Sequence, residues 1–421
     1  MSTETQKKLK VAQFCDNYGP GSNGLMYAVQ QLEGNLLDAG HEVIVVAPAA
    51  TGPNPHYGRP GRTEIRLPSI LVAHMPTKVA TSRRFRKTLK QLEQMQPDVL
   101  HVHGLGPVGL LGIWAAKRLQ IPTILTWHTD FEAYADHYRK VLPYLIPLVH
   151  AFIAYNGGEL LTREDLKQAR ADFANYPRNV ATLLGVCRKM LETADVVTSP
   201  SPKTASRCQL ICPGLDVQVI PNGVNPLPGT AEVDRGPIGK APKLLYAGRI
   251  APEKGIDRLL DAFELVRLSY PQAHLTVVGD WAPYPKIAKR LEAARDAGYV
   301  SIPGEFPRDE LGQFYASADL FVFPSLTDTQ ALVLHEAALA GLPIVSVDPE
   351  LQLVIKPGSN GMVTQPAPEA FAAGIMQLLQ NLKSRRFAKK AAKTSRKLAG
   401  KWSIESQAQA MLDLYQELAA R

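Results

Sequence analysis

The sequence predicts an α/β protein built from two doubly wound, Rossmann-like parallel-sheet domains. Short apolar runs of buried-strand type alternate with amphipathic helical stretches through both halves of the chain. Glycine-bearing loops follow several of those runs, and the stretch from Asn225 to Pro242 is rich in proline and glycine with little periodicity. A chain of 421 residues suits two domains of roughly 200 each. The expected division is 1–225, then 226–400, then a closing helical segment 401–421.

The first strand, Leu9 to Phe14, is followed by a turn-rich loop from Asp16 to Gly24 carrying Gly19, Gly21 and Gly24. Apolar positions Tyr27, Leu32, Leu36 and Leu37 then predict a helix stopped at Gly40, and His41 to Ala47 returns as a strand. This is a βαβ unit whose glycine loop brings backbone close to a ligand. Its glycine spacing is not that of a dinucleotide fingerprint, and no acid ends the second strand. Pro97 to Gly104 supplies another strand and loop with His101 and His103, and Ile121 to Trp127 a further strand with His128 at its carboxyl end. Three strand-end clusters therefore point to one crevice. Phe131 to Arg188 reads as a mainly helical insert whose Tyr134, Tyr138, Tyr144, Leu145, Phe152 and Tyr155 are expected mostly in the core.

After the linker the pattern restarts with the strand Leu244 to Ala247 and the loop Gly248 to Gly255. A helix with Ile256, Leu259, Leu260, Phe263 and Val266 on its apolar side follows. Arg249 and Lys254 flank that loop beside a helix start. A forked guanidinium, a mobile ammonium and free N–H groups together make a diphosphate clamp. Leu275 to Asp280, with Gly279, and Val300 to Phe306, with Gly304, are the next strand ends.

The unit centred on Asp328 organises this half. Leu320 to Phe323 is a strand, and Pro324 to Thr329 is a polar loop. From Gln330 the sequence turns helical until Gly341-Leu342-Pro343, after which Ile344 to Val347 is a strand again. Asp328 falls in a loop at the carboxyl end of a parallel strand, where open α/β sheets bind ligands. Glu336 is expected about two helical turns on, and the N–H groups of Thr329, Gln330 and Ala331 are expected at the helix start, facing the same crevice.

Two acids eight positions apart in a strand–loop–helix resemble the signature of retaining glycosyltransferases of family 4, which have the two-domain GT-B fold. Gln330-Ala331-Leu332-Val333-Leu334 stands where Gln-Gly-Leu-Val-Leu is common, and Asp328 stands where Glu is usual. Gly248-Arg249 with Lys254-Gly255 is similar to the family's pyrophosphate motif. Strand ends of the first half agree as well: Pro97-Asp98-Val99-Leu100-His101-Val102-His103 and Thr126-Trp127-His128-Thr129 both resemble family segments. Asn23-Gly24-Leu25, Thr126 to Phe131 and Asp328-Thr329-Gln330 look most like the branch that glycosylates diacylglycerol-type lipids.

The resemblance implies two domains facing a cleft, with the terminal helix from Lys401 crossing back to the first domain. It implies that Gly21, Asn23, Gly24, Gly248, Arg249, Lys254, Gly279, Gly304, Thr329, Gln330, Ala331 and Glu336 bind the donor, with Glu336 on the ribose. His128 and Asp328 would orient the sugar, while Arg249 and Lys254 stabilise the departing diphosphate. The chain has no Asp-x-Asp pair, so neither a metal nor any other cofactor is expected. The implied reaction moves a hexose, glucose from UDP-glucose, to a lipid such as a diacylglycerol. A GDP-mannose-dependent mannosyltransferase acting on a glycolipid or small-molecule acceptor, a nucleotide-sugar epimerase on the same fold, and a non-catalytic nucleotide-sugar or membrane binder stay open beside it.

Net charge is +8, concentrated in Lys383 to Lys401 and in Ser82 to Lys87. An anionic partner fits this, a membrane surface or the phosphates of a nucleotide sugar. No nucleic-acid-binding motif accompanies the charge. Arg83, Arg84, Arg86 and Lys87, with Phe85 and Leu89, are expected to form an interfacial amphipathic helix. Four scattered cysteines form neither a disulfide framework nor a zinc site, which points to a reducing compartment. No signal peptide or membrane span is expected, so the protein is expected in the cytoplasm, peripheral on the cytoplasmic face of the membrane.

Overall fold

The computed structural model describes residues 8–19, 24–49, 55–71, 78–129, 142–231, 233–280 and 284–421, with backbone only at 142–145. The chain divides into two compact units, residues 1–221 with 404–421, and residues 222–403.

The first unit holds β1 (Lys10–Phe14), β2 (Glu42–Pro48), β3 (Arg62–Leu67), a small antiparallel hairpin β4 (Ser69–Ile70) and β5 (Val79–Ala80), then β6 (Val99–Val102), β7 (Thr123–Thr126), β8 (Val196–Ser199) and β9 (Val217–Val219). Its main sheet runs β3-β2-β1-β6-β7-β8-β9, parallel throughout. The inner strands β1, β2, β6, β7 and β8 are buried on both faces, and their alternate residues feed two cores. Val43 and Val45 pack with the helix Gly24–Asp38, whereas Ile44 and Val46 pack with the helices Pro107–Leu119 and Arg178–Thr193. The last helix, Ile404–Ala419, lays Met411, Leu414, Tyr415 and Leu418 into the first of those cores. It begins three residues after the expected Lys401.

The second unit holds β10 (Lys243–Ala247), β11 (His274–Val278), β12 (Val300–Gly304), β13 (Leu320–Phe323), β14 (Ile344–Ser346) and β15 (Gly361–Val363). Their order is β12-β11-β10-β13-β14-β15, again parallel throughout. Both sheets thus place their first strand next to the fourth of the main order, the reversal at which doubly wound sheets open a crevice.

The insert is helical as expected, with helices Leu142–Tyr155, Arg163–Asp172 and Arg178–Thr193. Phe152 is buried, while Tyr134 and Tyr138 and the side chains of Tyr144 and Leu145 lie outside the described residues. All four cysteines are free, three of them buried. Among the described residues no helix is long and apolar enough to cross a membrane.

Candidate functional site

In the second unit the crevice lies at the ends of β10 and β13. The chain leaves β10 through Gly248, whose φ of +141° is a conformation L side chains rarely adopt. Gly279, after β11, faces the Gly248 carbonyl so closely that a Cβ there would lie 2.0 Å from its oxygen. Glycine at 279 is therefore demanded by packing between two strand ends. Gly304, at φ +95°, faces open space. Pro252–Lys254 forms one 3-10 turn, and Gly255 starts the helix Ile256–Ser269 with φ +72°. A Cβ on Gly255 would stand 2.5 Å from the Pro324 carbonyl oxygen, so the two loops touch through backbone.

Lys254 crosses between those loops. Its Nζ donates to Asp328 Oδ1 at 2.6 Å, with both side chains about four-fifths buried. Ser325 donates its hydroxyl to the other oxygen, Oδ2, at 2.5 Å. Asp328 is thus held by a cation on one side and a hydroxyl on the other. Arg249 pairs with Glu253 one turn on and keeps 52% of its side chain exposed. Beneath it, the buried Tyr246 donates its hydroxyl to the Arg249 carbonyl at 2.8 Å, fixing the loop.

Glu336 has 2% of its side chain exposed and is met twice. Arg308 approaches Oε1 at 2.5 Å, and Tyr315 donates its hydroxyl to Oε2 at 2.7 Å. Burial and the adjacent Glu336 charge push the Tyr315 phenol well above its ordinary range, so it stays a donor. Sequence reasoning does not single out Arg308 or Ser325. Nothing in the spacing around Arg308 marks it, because its partner lies far along the chain.

The helix after Asp328 corrects one expectation. It runs Leu332–Leu339, two residues later than expected, and Glu336 sits just over one turn into it. Ala331 is the cause, since it takes φ +57° and ψ +78°, a left-handed conformation that ends the extended loop. Gln330 is likewise buried before the helix. Its amide accepts from Asn222 N and donates to Asn222 O, both at 2.9 Å, pinning the loop to the start of this unit. The side chain of Gln330 is therefore committed to the protein, and Thr329 to Ala331 form the turn ahead of the helix.

In the first unit the crevice chemistry is neutral. His101 and His103 lie with ring centroids 3.8 Å apart, and His103 Nδ1 is 3.4 Å from His128 Nε2. His101 Nδ1 is 2.5 Å from the Tyr415 hydroxyl and its Nε2 is 2.6 Å from Thr126 Oγ1. Thr126 in turn bonds Thr198 at 2.6 Å. Loss of water around the rings pushes His101 and His103 well below the ordinary imidazole range and His128 down to about 3. At neutral pH all three are uncharged hydrogen-bonding groups. Gly24 opens the helix Gly24–Asp38, while Gly21 and Asn23 lie outside the described residues.

Asp16, directly after β1, reads in the sequence only as the start of a loop. Its carboxylate accepts from the N–H groups of Gly106, Val108 and Gly109 at 2.9, 2.8 and 3.1 Å, filling the N-terminus of the helix Pro107–Leu119. Cβ atoms on Gly104 and Gly106 would stand 2.3 and 2.6 Å from its oxygens. The run of glycines at 104, 106 and 109 is the available signal that something must approach that backbone.

The expected interfacial helix is also corrected. Phe85 is buried, edge-on to Phe152 and Tyr155 at 6.0 and 6.2 Å, and Leu89 packs against the same core. The apolar side of the helix Phe85–Met95 is spent on the protein's own interior. Arg83, Arg84, Arg86 and Lys87 are exposed, but Arg86 donates to the Tyr155 carbonyl at 3.0 Å and lies over its ring.

Two Rossmann-like units with this strand order have the GT-B fold. Family descriptions agree with both halves: residues 22–226 match "Glycosyltransferase Family 4" and residues 241–381 match "Glycosyl transferases group 1". The chain belongs to the family 4 glycosyltransferases. It is similar to the alpha-monoglucosyldiacylglycerol synthase of Acholeplasma laidlawii, 25% identical over 367 residues, 84% of each chain. It is 29% identical over 359 residues to a GDP-mannose-dependent alpha-mannosyltransferase of Mycobacterium tuberculosis, covering 81% of this chain and 79% of that one. Among solved structures it resembles the sucrose-phosphate synthase of Thermosynechococcus elongatus, with a TM-score of 0.68 at 20% identity over 98% of this chain and all of that one.

Proposed function

We propose that this glycosyltransferase moves a hexose, glucose from UDP-glucose, to a diacylglycerol-type lipid with retention of anomeric configuration and without a metal. The observation that carries the proposal is the Lys254–Asp328 pair at 2.6 Å, bridging the loops after β10 and β13 where the strand order reverses. On this reading the donor's diphosphate takes Lys254 from Asp328. Asp328, still held by Ser325, then accepts from donor-sugar hydroxyls. Arg249, half exposed, leaves Glu253 for the same diphosphate. The helix start at Gly255 offers N–H groups that no side chain caps. Ribose hydroxyls reach Glu336 in place of Arg308, the more exposed of its two partners. His128 orients the sugar as a neutral group, and the glycine loop with Gly21, Asn23 and Gly24 adds N–H donors.

As the C1–O bond to the β-phosphate breaks, negative charge gathers on the diphosphate, and the cations and amides are placed to oppose it. The acceptor hydroxyl oxygen bonds to C1 and passes its proton to the departing phosphate oxygen. The lipid acceptor is supported by the name of the Acholeplasma relative, and a place for the protein on an anionic cytoplasmic membrane surface goes with that reading and with the chain's net charge of +8. A GDP-mannose donor is the second reading, favoured by the higher identity to the mycobacterial mannosyltransferase.

Labelled UDP-glucose and GDP-mannose, each with and without diacylglycerol and each with and without a chelator, test the proposal. Transfer of glucose alone, to an α-linked lipid product and undiminished by chelator, is expected. Mannose transfer would move the assignment to the second reading. Donor turnover that ignores the acceptor would favour an epimerase, and loss of transfer with chelator would contradict the metal-free mechanism.

A further inference from the structure

The helix Arg385–Ala399, in the second unit, holds a charge distribution that the reaction does not use. Between Lys383 and Lys401 stand nine basic residues, Lys383, Arg385, Arg386, Lys389, Lys390, Lys393, Arg396, Lys397 and Lys401, and no acid. The whole chain carries 47 basic and 39 acidic residues, so without these nine it has 38 and 39, a net charge of −1. Without this segment the chain carries no net positive charge.

Packing turns that segment into a face. Ala388, Ala391, Ala392, Ser395 and Ala399 are buried, and such small side chains let the helix lie close against the unit. Ser395 donates to the Leu342 carbonyl at 2.8 Å and accepts from Asn360 at 2.9 Å. Arg396 is half-buried and donates to the Val233 carbonyl at 2.7 Å, a structural use. The other eight are exposed. Among the described residues, Lys389 is the one of them near an acid, Asp234 at 3.7 Å.

A merely solvated helix face would intersperse acids with its lysines. Here Arg386 and Lys390, Lys389 and Lys393, and Lys393 and Lys397 are like charges four apart, an arrangement that works against the helix itself. The helices Ile256–Ser269 and Pro285–Asp296 of the same unit carry both signs, as Arg290 with Asp257 and Asp261 illustrates. A row of uncompensated cations along a helix of about 22 Å is favourable when opposed by an extended array of fixed negative charge. The face exposes no large apolar or aromatic side chain, so it neither inserts among acyl chains nor stacks on bases.

We propose that this face docks the enzyme electrostatically on anionic lipid headgroups, without insertion, and contributes more to membrane attachment than the cluster Arg83 to Lys87. The proposal rests on the lipid-acceptor reading above. The test is co-sedimentation of the full chain with vesicles of phosphatidylglycerol and phosphatidylcholine, against phosphatidylcholine alone. Lys389, Lys390, Lys393 and Lys397 are changed together to Gln, and Arg83, Arg84, Arg86 and Lys87 in a separate variant.

The first variant is expected to lose about a hundredfold in vesicle affinity, and the second less. Wild-type binding is expected to vanish near 1 M salt, where the screening length is roughly 3 Å. Unchanged melting temperatures show that both variants fold. Wild-type affinity in the first variant, equal binding to neutral vesicles, or preference for duplex DNA at the same salt would overturn the proposal. Glucose transfer to detergent-dispersed diacylglycerol, measured in parallel, separates this failure from failure of the enzymatic reading.

Discussion

In the first unit, the helix that follows β6 begins against a carboxylate of its own chain. In the second, the helix that follows β10 begins against a glycine flanked by two cations. The two sheets share one strand order, and both open a crevice where that order reverses. Asp16 fills the first helix start with three hydrogen bonds, and the neighbouring histidines are dry and uncharged. Lys254 and Arg249 leave the second ready to exchange their carboxylate partners for a stronger anion. Architecture sets where a ligand can bind, and the residue at the helix start decides whether an anion is welcome there.

The largest expected effect falls on the charged side of this contrast. Lys254→Ala should lower turnover by about three orders of magnitude and Arg249→Ala by about two, as lost charge stabilisation does in other enzymes. Steady-state transfer assays measure both. Near-normal turnover in either would break the contrast at its functional end. Next comes the neutral side. Asp16→Ala strands three N–H groups around a buried site and should cost about 3 kcal/mol in urea unfolding. A cost near zero would mean the helix start does not need its carboxylate.

The histidines give a pH signature. Their folded pKa values lie below the ordinary 6.5, so the unfolded chain binds more protons between the two values. Stability is complete above about pH 6.5 and falls as pH drops through the interval, by up to about 1.4 kcal/mol per pH unit for each histidine. Denaturant melts between pH 7 and 5 should show that slope, and His103→Asn should reduce it. A flat profile would contradict the dry environment. The smallest effect belongs to Ala331. Ala331→Gly relieves a left-handed alanine and should raise stability by about 1 kcal/mol, read as a higher melting temperature.

Ala331 also shows where the sequence stops being legible. Its composition reads as helix from Gln330 onward, and only the backbone conformation moves the start to Leu332. The alternation of strands and helices and the Gly248-to-Gly255 and Asp328-to-Glu336 loops could be read because each depends on local periodicity and punctuation. The partners of the two acids could not. Lys254 reaches Asp328 across 74 positions, and Arg308 meets Glu336 from another strand end. Phe85 misleads for a related reason: an apolar stripe beside a basic one describes a helix on its own core as well as a helix on a membrane.

Calorimetric titration of Lys254→Ala and the unaltered protein with UDP or GDP, whichever binds, and with the matching nucleoside, tests the diphosphate clamp most directly. The diphosphate is expected to bind the variant at least about tenfold more weakly while the nucleoside binds both equally. Equal affinity of the two proteins for the diphosphate would contradict it.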